Sequence, residues 1–327
     1  MGEVSKRSEN DFDVSVEWAP AYELVVAYTS FVEHKLHALM ELGNAWVRRL
    51  RLRLPADFNA RRRQLDELVD ARAGKSKYDD LLWILAHVAP GPRDTASFLD
   101  WLAHLSAGDA YEALAPTLPA SGAGLPRDFR AWRDGLVGLL RDFDTSYFAE
   151  IDPAILDGLR RGAETLQARV DAVPARELVE EVTNGMWLEP TADLHHIVLV
   201  PQYHCRPFND LGQLQHGLIV LFPHEALPPP PGSPPTGLLR LTRGLADESR
   251  LRILRFLGAN GPRTLTEVAR FARLSQPTVH HHLALLRAAG LVRVYVPFPG
   301  PSRYGLSPHA LGALAEQLGT YLEPDKQ

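Results

Sequence analysis

The sequence predicts a mainly α protein in two parts. A helical N-terminal domain carries a small β element, and a smaller C-terminal domain of helices ends in a β-hairpin and a last helix. Three observations lead there. Apolar residues recur at helical spacing from Ala21 to Val182. Short β-branched runs follow at 195–201 and 216–223. A proline-rich stretch then sets apart residues 237–327.

In chain order, DVSVEW (13–18) alternates and reads as a strand. Ala21–Leu39 is apolar at helical spacing; Asn44 is a candidate N-cap for WVRRLRLRL (46–54), and Pro55 suits the first position of another helix. YDDLLWILAHVA (78–89), TASFLDWLAHL (95–105) and RDFRAWRDGLVGLLRDFDTSYFAEI (127–151) continue the helical pattern, as do Pro153–Val173 and Pro174–Val182. HHIVLVP (195–201) and HGLIVLFP (216–223) are bounded by Pro or Gly and read as a strand pair. In ALPPPPGSPPTG (226–237) six prolines deny backbone donors and favour extended geometry. The expected division is a mostly helical domain over 1–226, a linker over 227–236 and a second domain over 237–327.

Composition narrows the function classes. With 45% hydrophobic and 23% charged residues the chain has the balance of a globular protein. No apolar run reaches the length of roughly 18 residues that a membrane span needs. The opening MGEVSKRSENDFD lacks the apolar core of a signal peptide, and Lys6 stands where a myristoylation signal needs Ser or Thr. Cys205 is the single cysteine, so a reducing, cytoplasmic location is expected. Only five of the 35 basic residues are lysines, the bias of a GC-rich bacterial genome. Charge is unevenly placed. From Gly237 onward 12 Arg and Lys face 6 Asp and Glu, whereas the first 236 residues carry 23 against 34. That polarity suits a smaller part that meets a polyanion.

In the C-terminal domain Leu238–Leu245 reads as a short helix. Glu248–Leu257 reads as a stronger one, with Leu251, Leu254 and sometimes Ile253 inward, ended by GANGP. Thr264 and Glu267 form a capping box that opens a helix over Leu265–Arg273. After the tight connection Leu274-Ser275, Ser275 caps a helix that tolerates Pro277 in its first turn and runs to about Ala289, where Gly290 stops it. Two helices on so short a turn make a helix-turn-helix. VRVYVP (292–297), a PGPS turn and RYGL (303–306) form a hairpin wing. Along Pro308–Leu322 the residues Leu311, Leu314, Leu318, Tyr321 and Leu322 share one stripe, which either packs on its own domain or meets a second copy.

LADESRLRILRFL, then LTEVARFARLSQPTVHHHLALLRAAGLV, then a wing, resembles the winged helix-turn-helix domain of ArsR-type bacterial repressors over roughly residues 238–322. The resemblance implies a homodimer that binds operator DNA through the second helix of the motif and the wing. It also implies dimerisation through the first and last helices, which favours the second-copy reading of the stripe. WAPAYELVVAY, WVRRLRLRLP, DTSYFAEIDPAILDGLRRGAE and HHIVLVP are similar to a domain that precedes such winged helices in longer actinobacterial regulators. The family's metal sites are missing. Its arsenic sensors carry Cys-x-Cys in the first helix of the motif, where this chain has LTEVARFAR, and its zinc sensors place Asp/His pairs on the last helix, where only His309 stands.

The residues facing DNA follow from helical geometry. With Val279 at zero and 100° per residue, Leu283 and Leu286 share its buried stripe and His282 lies on the edge. Thr278, His280 and His281 span the open face, and Ser275 and Gln276 occupy the exposed N-terminal end that enters the major groove in such motifs. Gln bonds adenine bidentately, Ser and Thr reach base edges or phosphate, and His donates to guanine or phosphate. Phosphate contacts are expected from Thr264 at its helix N-terminus, Arg263, Arg273 and the wing's Arg303. Arg250 and Arg252 read as structural partners of nearby acids. The row His280-His281-His282 is no chelating triplet, because neighbours on a helix diverge by 100°.

Other constellations are weaker. His195, His196, His204, Cys205, His216 and His224 crowd one region without a zinc spacing. No P-loop, GxSxG, HExxH or dinucleotide fingerprint occurs, so neither a catalytic site nor a cofactor is expected. Trp83, Trp101, Trp132, Tyr147 and Phe148 either fill a core or line a pocket for a small-molecule effector. The sequence thus reads as a dimeric regulator of double-stranded DNA. Two alternatives stay open: an N-terminal enzyme tethered to a DNA-binding module, or a winged helix used for protein interaction.

Overall fold

The computed structural model describes residues 12–34, 37–68, 76–116, 125–191, 193–228, 232–297, 300–308 and 310–322, with the side chains of 76–80, 310, 311, 313 and 314 also outside the description. The chain runs through β1 (Asp13–Val16), α1 (Pro20–Val32), α2 (Gly43–Arg51), α3 (Phe58–Glu67) and α4 (Ser76–Val88). Next come α5 (Thr95–His104), α6 (Ala107–Leu114), α7 (Phe129–Ser146), α8 (Pro153–Gln167), α9 (Ala175–Val182) and β2 (Met186–Leu188). Strands β3 (His196–Gln202), β4 (Asp210–Leu214) and β5 (Gly217–Pro223) precede α10 (Thr236–Leu245) and α11 (Glu248–Asn260). The last elements are β6 (Arg263–Thr264), α12 (Leu265–Ala272), α13 (Gln276–Ala288), β7 (Val292–Val296), β8 (Arg303–Leu306) and α14 (Ala310–Leu322). The fold is mainly α with two small sheets, as the helical periodicity predicts.

The chain divides into two compact units. The larger gathers Val14–Arg169 and His196–Leu227. Its centre is α1, buried on every side from Ala21 to Phe31, which is why this helix reads as apolar all round. Helices α4, α5 and α7 and strand β3 pack about it. Tyr28, Phe31, Phe58 and Phe143 meet edge-on or tilted, with ring centroids 5.8–6.5 Å apart. The one carboxylate inside α1, Glu23, accepts the backbone N–H groups of Tyr203 and His204 at 3.1 and 3.0 Å and is bonded to His204 Nδ1. A charge so deeply buried persists only when satisfied in this way.

The sheet of this unit runs β1-β3-β5-β4. The two β-branched runs do pair, in parallel, from His196↔Gly217 to Gln202↔Pro223. Both faces of β3 and β5 are covered, which explains runs of continuous rather than alternating apolar residues. Gly217 is obligatory, since a Cβ there would lie 2.3 Å from the His196 carbonyl oxygen. Pro55 differs from expectation. It sits in the turn before α3, its carbonyl accepting from Phe58 N at 3.0 Å, rather than in the helix itself.

The smaller unit gathers Pro228–Gln327 with Val170–His195 and the segment up to Asp13. The proline-rich stretch therefore does not mark the whole boundary. Strand β2 pairs in parallel with β7 (Met186↔Val294, Trp187↔Tyr295, Leu188↔Val296) and completes a sheet ordered β2-β7-β8-β6. An uncovered outer edge on β7 would offer its N–H and C=O groups to any strand; β2 closes it. In α11 the inward pair is Ile253, fully buried, with Leu257, whereas Leu251 is 48% exposed. The expectation that Leu251 faces the core is thereby corrected: the stripe begins two residues later, and Leu254 is its partly buried margin. Asp247 caps α11 by accepting from Arg250 N, and Gly261, at φ +73°, ends it.

Candidate nucleic-acid interface

The helix-turn-helix is built from local instructions. Thr264 caps α12 through a complete capping box: its hydroxyl receives Glu267 N at 3.3 Å, and Thr264 N donates to Glu267 Oε2 at 2.8 Å. Arg273 closes the helix in the left-handed conformation (φ 57°, ψ 39°), with its N–H on the Ala269 carbonyl. Ser275 then caps α13 by accepting from Thr278 N at 3.3 Å, and Pro277 sits in the first turn, where no N–H is needed. Val279, Leu283 and Leu286 are buried against Ile253, Leu257, Val268 and Leu291.

That packing fixes what faces outward. Ser275, Gln276, Thr278, His280 and His281 are all exposed, as the wheel predicts. His282 is half-buried, and its Nδ1 is shielded from solvent without a hydrogen bond. Burial pulls the His282 ring below the usual imidazole range against the opposing pull of Asp247. Two of the exposed residues hold one another: the Ser275 and Thr278 hydroxyls lie 2.8 Å apart. Gln276 Nε2 donates to Thr266 Oγ1 on α12 at 3.2 Å, which orients the amide and leaves its oxygen as a free acceptor. Thr266 has no place among the residues the sequence suggests. It is an exposed residue in the first turn of α12, and only the pairing of two helices reveals it.

The expected phosphate contacts fare unevenly. Arg273 is exposed, and its guanidinium makes no hydrogen bond or ion pair among the described residues. Arg263 is half-buried, with one guanidinium N–H on the Pro262 carbonyl at 2.9 Å. Thr264 directs both its N–H and its hydroxyl to Glu267, so a phosphate there would have to displace a carboxylate. On the wing, Arg303 is ion-paired with Glu189, the residue after β2. Arg293 on β7 is clamped by both oxygens of Glu180 at 2.5 and 2.9 Å and lies 4.6 Å above the Trp187 ring. Sequence reasoning missed these acids because each precedes the arginine it pairs with by more than a hundred residues. Arg250 does reach Asp247, at 3.9 Å, but mainly it caps the carbonyls of Gly244 and Arg243 at 2.8 Å each.

On α14, Leu318 and Tyr321 are each 41% exposed and Leu322 more so; the side chains of Leu311 and Leu314, and the wing-tip residues 298 and 299, lie outside the described residues. Among the described residues no three His, Cys, Asp or Glu converge as a metal site, and no helix is long and apolar enough to cross a membrane.

Residues 245–295 match the family model of a helix-turn-helix domain. No curated protein matches the chain by sequence. The matched stretch begins at the end of α10 and closes within β7, and so spans both helices of the motif and their supporting α11. The chain carries a helix-turn-helix domain of the kind used by DNA-binding transcription regulators.

Proposed function

We propose that the chain is an ArsR-type regulator, a repressor that acts in the cytoplasm and binds a pseudo-palindromic operator as a homodimer. The outward N-terminal half of α13 carries this reading: five polar side chains from Ser275 to His281 stand exposed over a buried Val279–Leu283–Leu286 stripe. Gln276 and Thr278 would read base edges, His280 and His281 bases or phosphates, and Arg273 the backbone. The exposed Leu318, Tyr321 and Leu322 of α14 support a second copy as its partner. Two such units would place half-sites about one helical turn apart. The larger unit would modulate this binding without the family's metal sites and without catalysis.

Selecting genomic fragments with the purified full-length protein, followed by sequencing, tests the reading directly. A symmetric motif should emerge, with affinity falling steeply with salt. A Gln276→Ala, His281→Ala double variant should lose at least tenfold in affinity, given about 1–3 kcal/mol per base contact. Unchanged affinity and sequence preference in that variant would overturn the assignment of α13 as the reading helix.

The Arg303–Glu189 pair favours a second reading, in which the wing meets a protein rather than DNA. A wing whose arginine is already neutralised offers little to a polyanion. Fragment selection that returns no enriched motif would support this alternative.

A further inference from the structure

We propose that the cleft beside Trp46, in the larger unit, is a binding site for a small aromatic monocarboxylate. The cleft holds about 320 Å³, the small end of ligand pockets, enough for one ring or two fused rings with a short side chain. Leu50, Ile151 and Ile155 make its walls apolar. The rings of Trp46, Tyr147 and Tyr203 give it flat and edge-on surfaces that favour an aromatic body over an aliphatic one.

The aromatic wall is held rigidly. Tyr147 Oη lies 2.8 Å from His204 Nε2, and His204 Nδ1 is bonded to the buried Glu23. The buried Glu23 thus fixes one edge of the His204 ring, and the opposite edge meets the Tyr147 hydroxyl. Burial pushes the Tyr147 hydroxyl up to about 12, so it stays a phenol. The Trp46 indole N–H is buried beside the cleft and acts on the Tyr147 hydroxyl.

The charge at the mouth selects the ligand's sign. Three charged residues border the cleft: Arg49, Arg53 and Asp152. Arg53 is ion-paired with Glu150, and Asp152 caps α8 by accepting from Ala154 N at 2.9 Å. Arg49 makes no hydrogen bond or ion pair among the described residues. A single uncompensated guanidinium beside an apolar slot fits one carboxylate, which it can bind through two parallel N–H···O bonds. Such a ligand would be the effector in the regulatory reading above, but its binding requires no DNA.

Calorimetric titration of the full-length protein, without DNA, tests this with phenylacetate and indole-3-acetate, each against its uncharged primary amide. Each acid should bind saturably and at least tenfold more tightly than its amide. Arg49→Gln should erase that preference, whereas Arg53→Gln should keep it. Ile155→Trp, which fills the cleft, should abolish binding of acid and amide alike. Arg49 is exposed, so its variant folds even if the Ile155 variant does not, and thermal melts of each check this. No saturable binding of either acid at millimolar concentration, equal binding of acid and amide, or an acid preference that survives Arg49→Gln would each overturn the proposal. Operator selection would stand unaffected by any of these failures.

Discussion

Arg303, on the second strand of the wing hairpin, is held by Glu189, which follows a short strand from a different part of the sequence. The pair is half-exposed, and its two residues are 114 positions apart. The same segment brings Glu180 to Arg293. A stretch of chain outside the helix-turn-helix thus neutralises both arginines of the hairpin.

If the wing meets DNA, Glu189→Gln should strengthen binding. An exposed ion pair contributes at most about 1 kcal/mol, so the gain should be roughly three- to fivefold. The dependence of log K on log salt should steepen by about one as Arg303 gains a phosphate. Arg303→Gln should cost more affinity in the Glu189→Gln background than in the wild type. Filter binding or fluorescence anisotropy at several salt concentrations measures all three, and equal effects in the two backgrounds would remove the competition.

The corrected face of α11 gives a stability test. Leu283→Ala, in the core beneath the reading helix, should destabilise the protein by about 2–5 kcal/mol. Leu251→Ala should stay within about 0.5 kcal/mol, because half of that side chain already meets solvent. Urea unfolding followed by circular dichroism separates the two. A large loss at Leu251 would mean that a partner subunit covers it.

Glu17 offers a pH test in the larger unit. Burial alone would raise its carboxyl, but hydrogen bonds from His87, Arg93 and Tyr22 outweigh this and bring it down to about 2. A depressed carboxyl binds fewer protons when folded than unfolded, so its contribution is full above the unfolded value near 4.5 and fades as pH falls toward 2. Glu17→Gln should therefore destabilise by roughly 1–2 kcal/mol at pH 7, allowing for solvent screening. The difference from wild type should shrink between pH 5 and 2. Thermal melts across that range would show it, and a constant difference would mean that the network matters through shape alone.

The α14 surface can be tested by charge. Leu318→Glu with Tyr321→Glu should shift a dimer toward monomer in sedimentation velocity and weaken operator binding at least tenfold, while leaving the melt of the rest of the chain unchanged. A wild type that sediments as a monomer at tens of micromolar would refute the dimer.

What sequence alone determined were the features set by near neighbours. The Thr264–Glu267 capping box, the Ser275 cap, the Val279–Leu283–Leu286 stripe and the stop at Gly290 each depend on residues within about one or two turns, and each is where its pattern predicts. The outward face of α13 was legible for the same reason: burying one stripe exposes the opposite one. The parallel β3–β5 pair was visible as two apolar runs, but β4 between them was not, since DLGQL shows no clear alternation.

Tertiary structure decided what depends on distant partners. Three residues, Met186–Leu188, are too few to display a period, and only the open edge of β7 makes them a strand. Leu251 and Ile253 look equally apolar, and the packing of α12 and α13 chooses between them. Arg49 lies in the last turn of α2 and Arg53 two residues past its end, yet Glu150 satisfies only Arg53. Arg303 is likewise compensated by Glu189, a residue the sequence around the wing does not contain. Charge compensation acts through space rather than along the chain, and it alone determines which basic groups remain for a ligand.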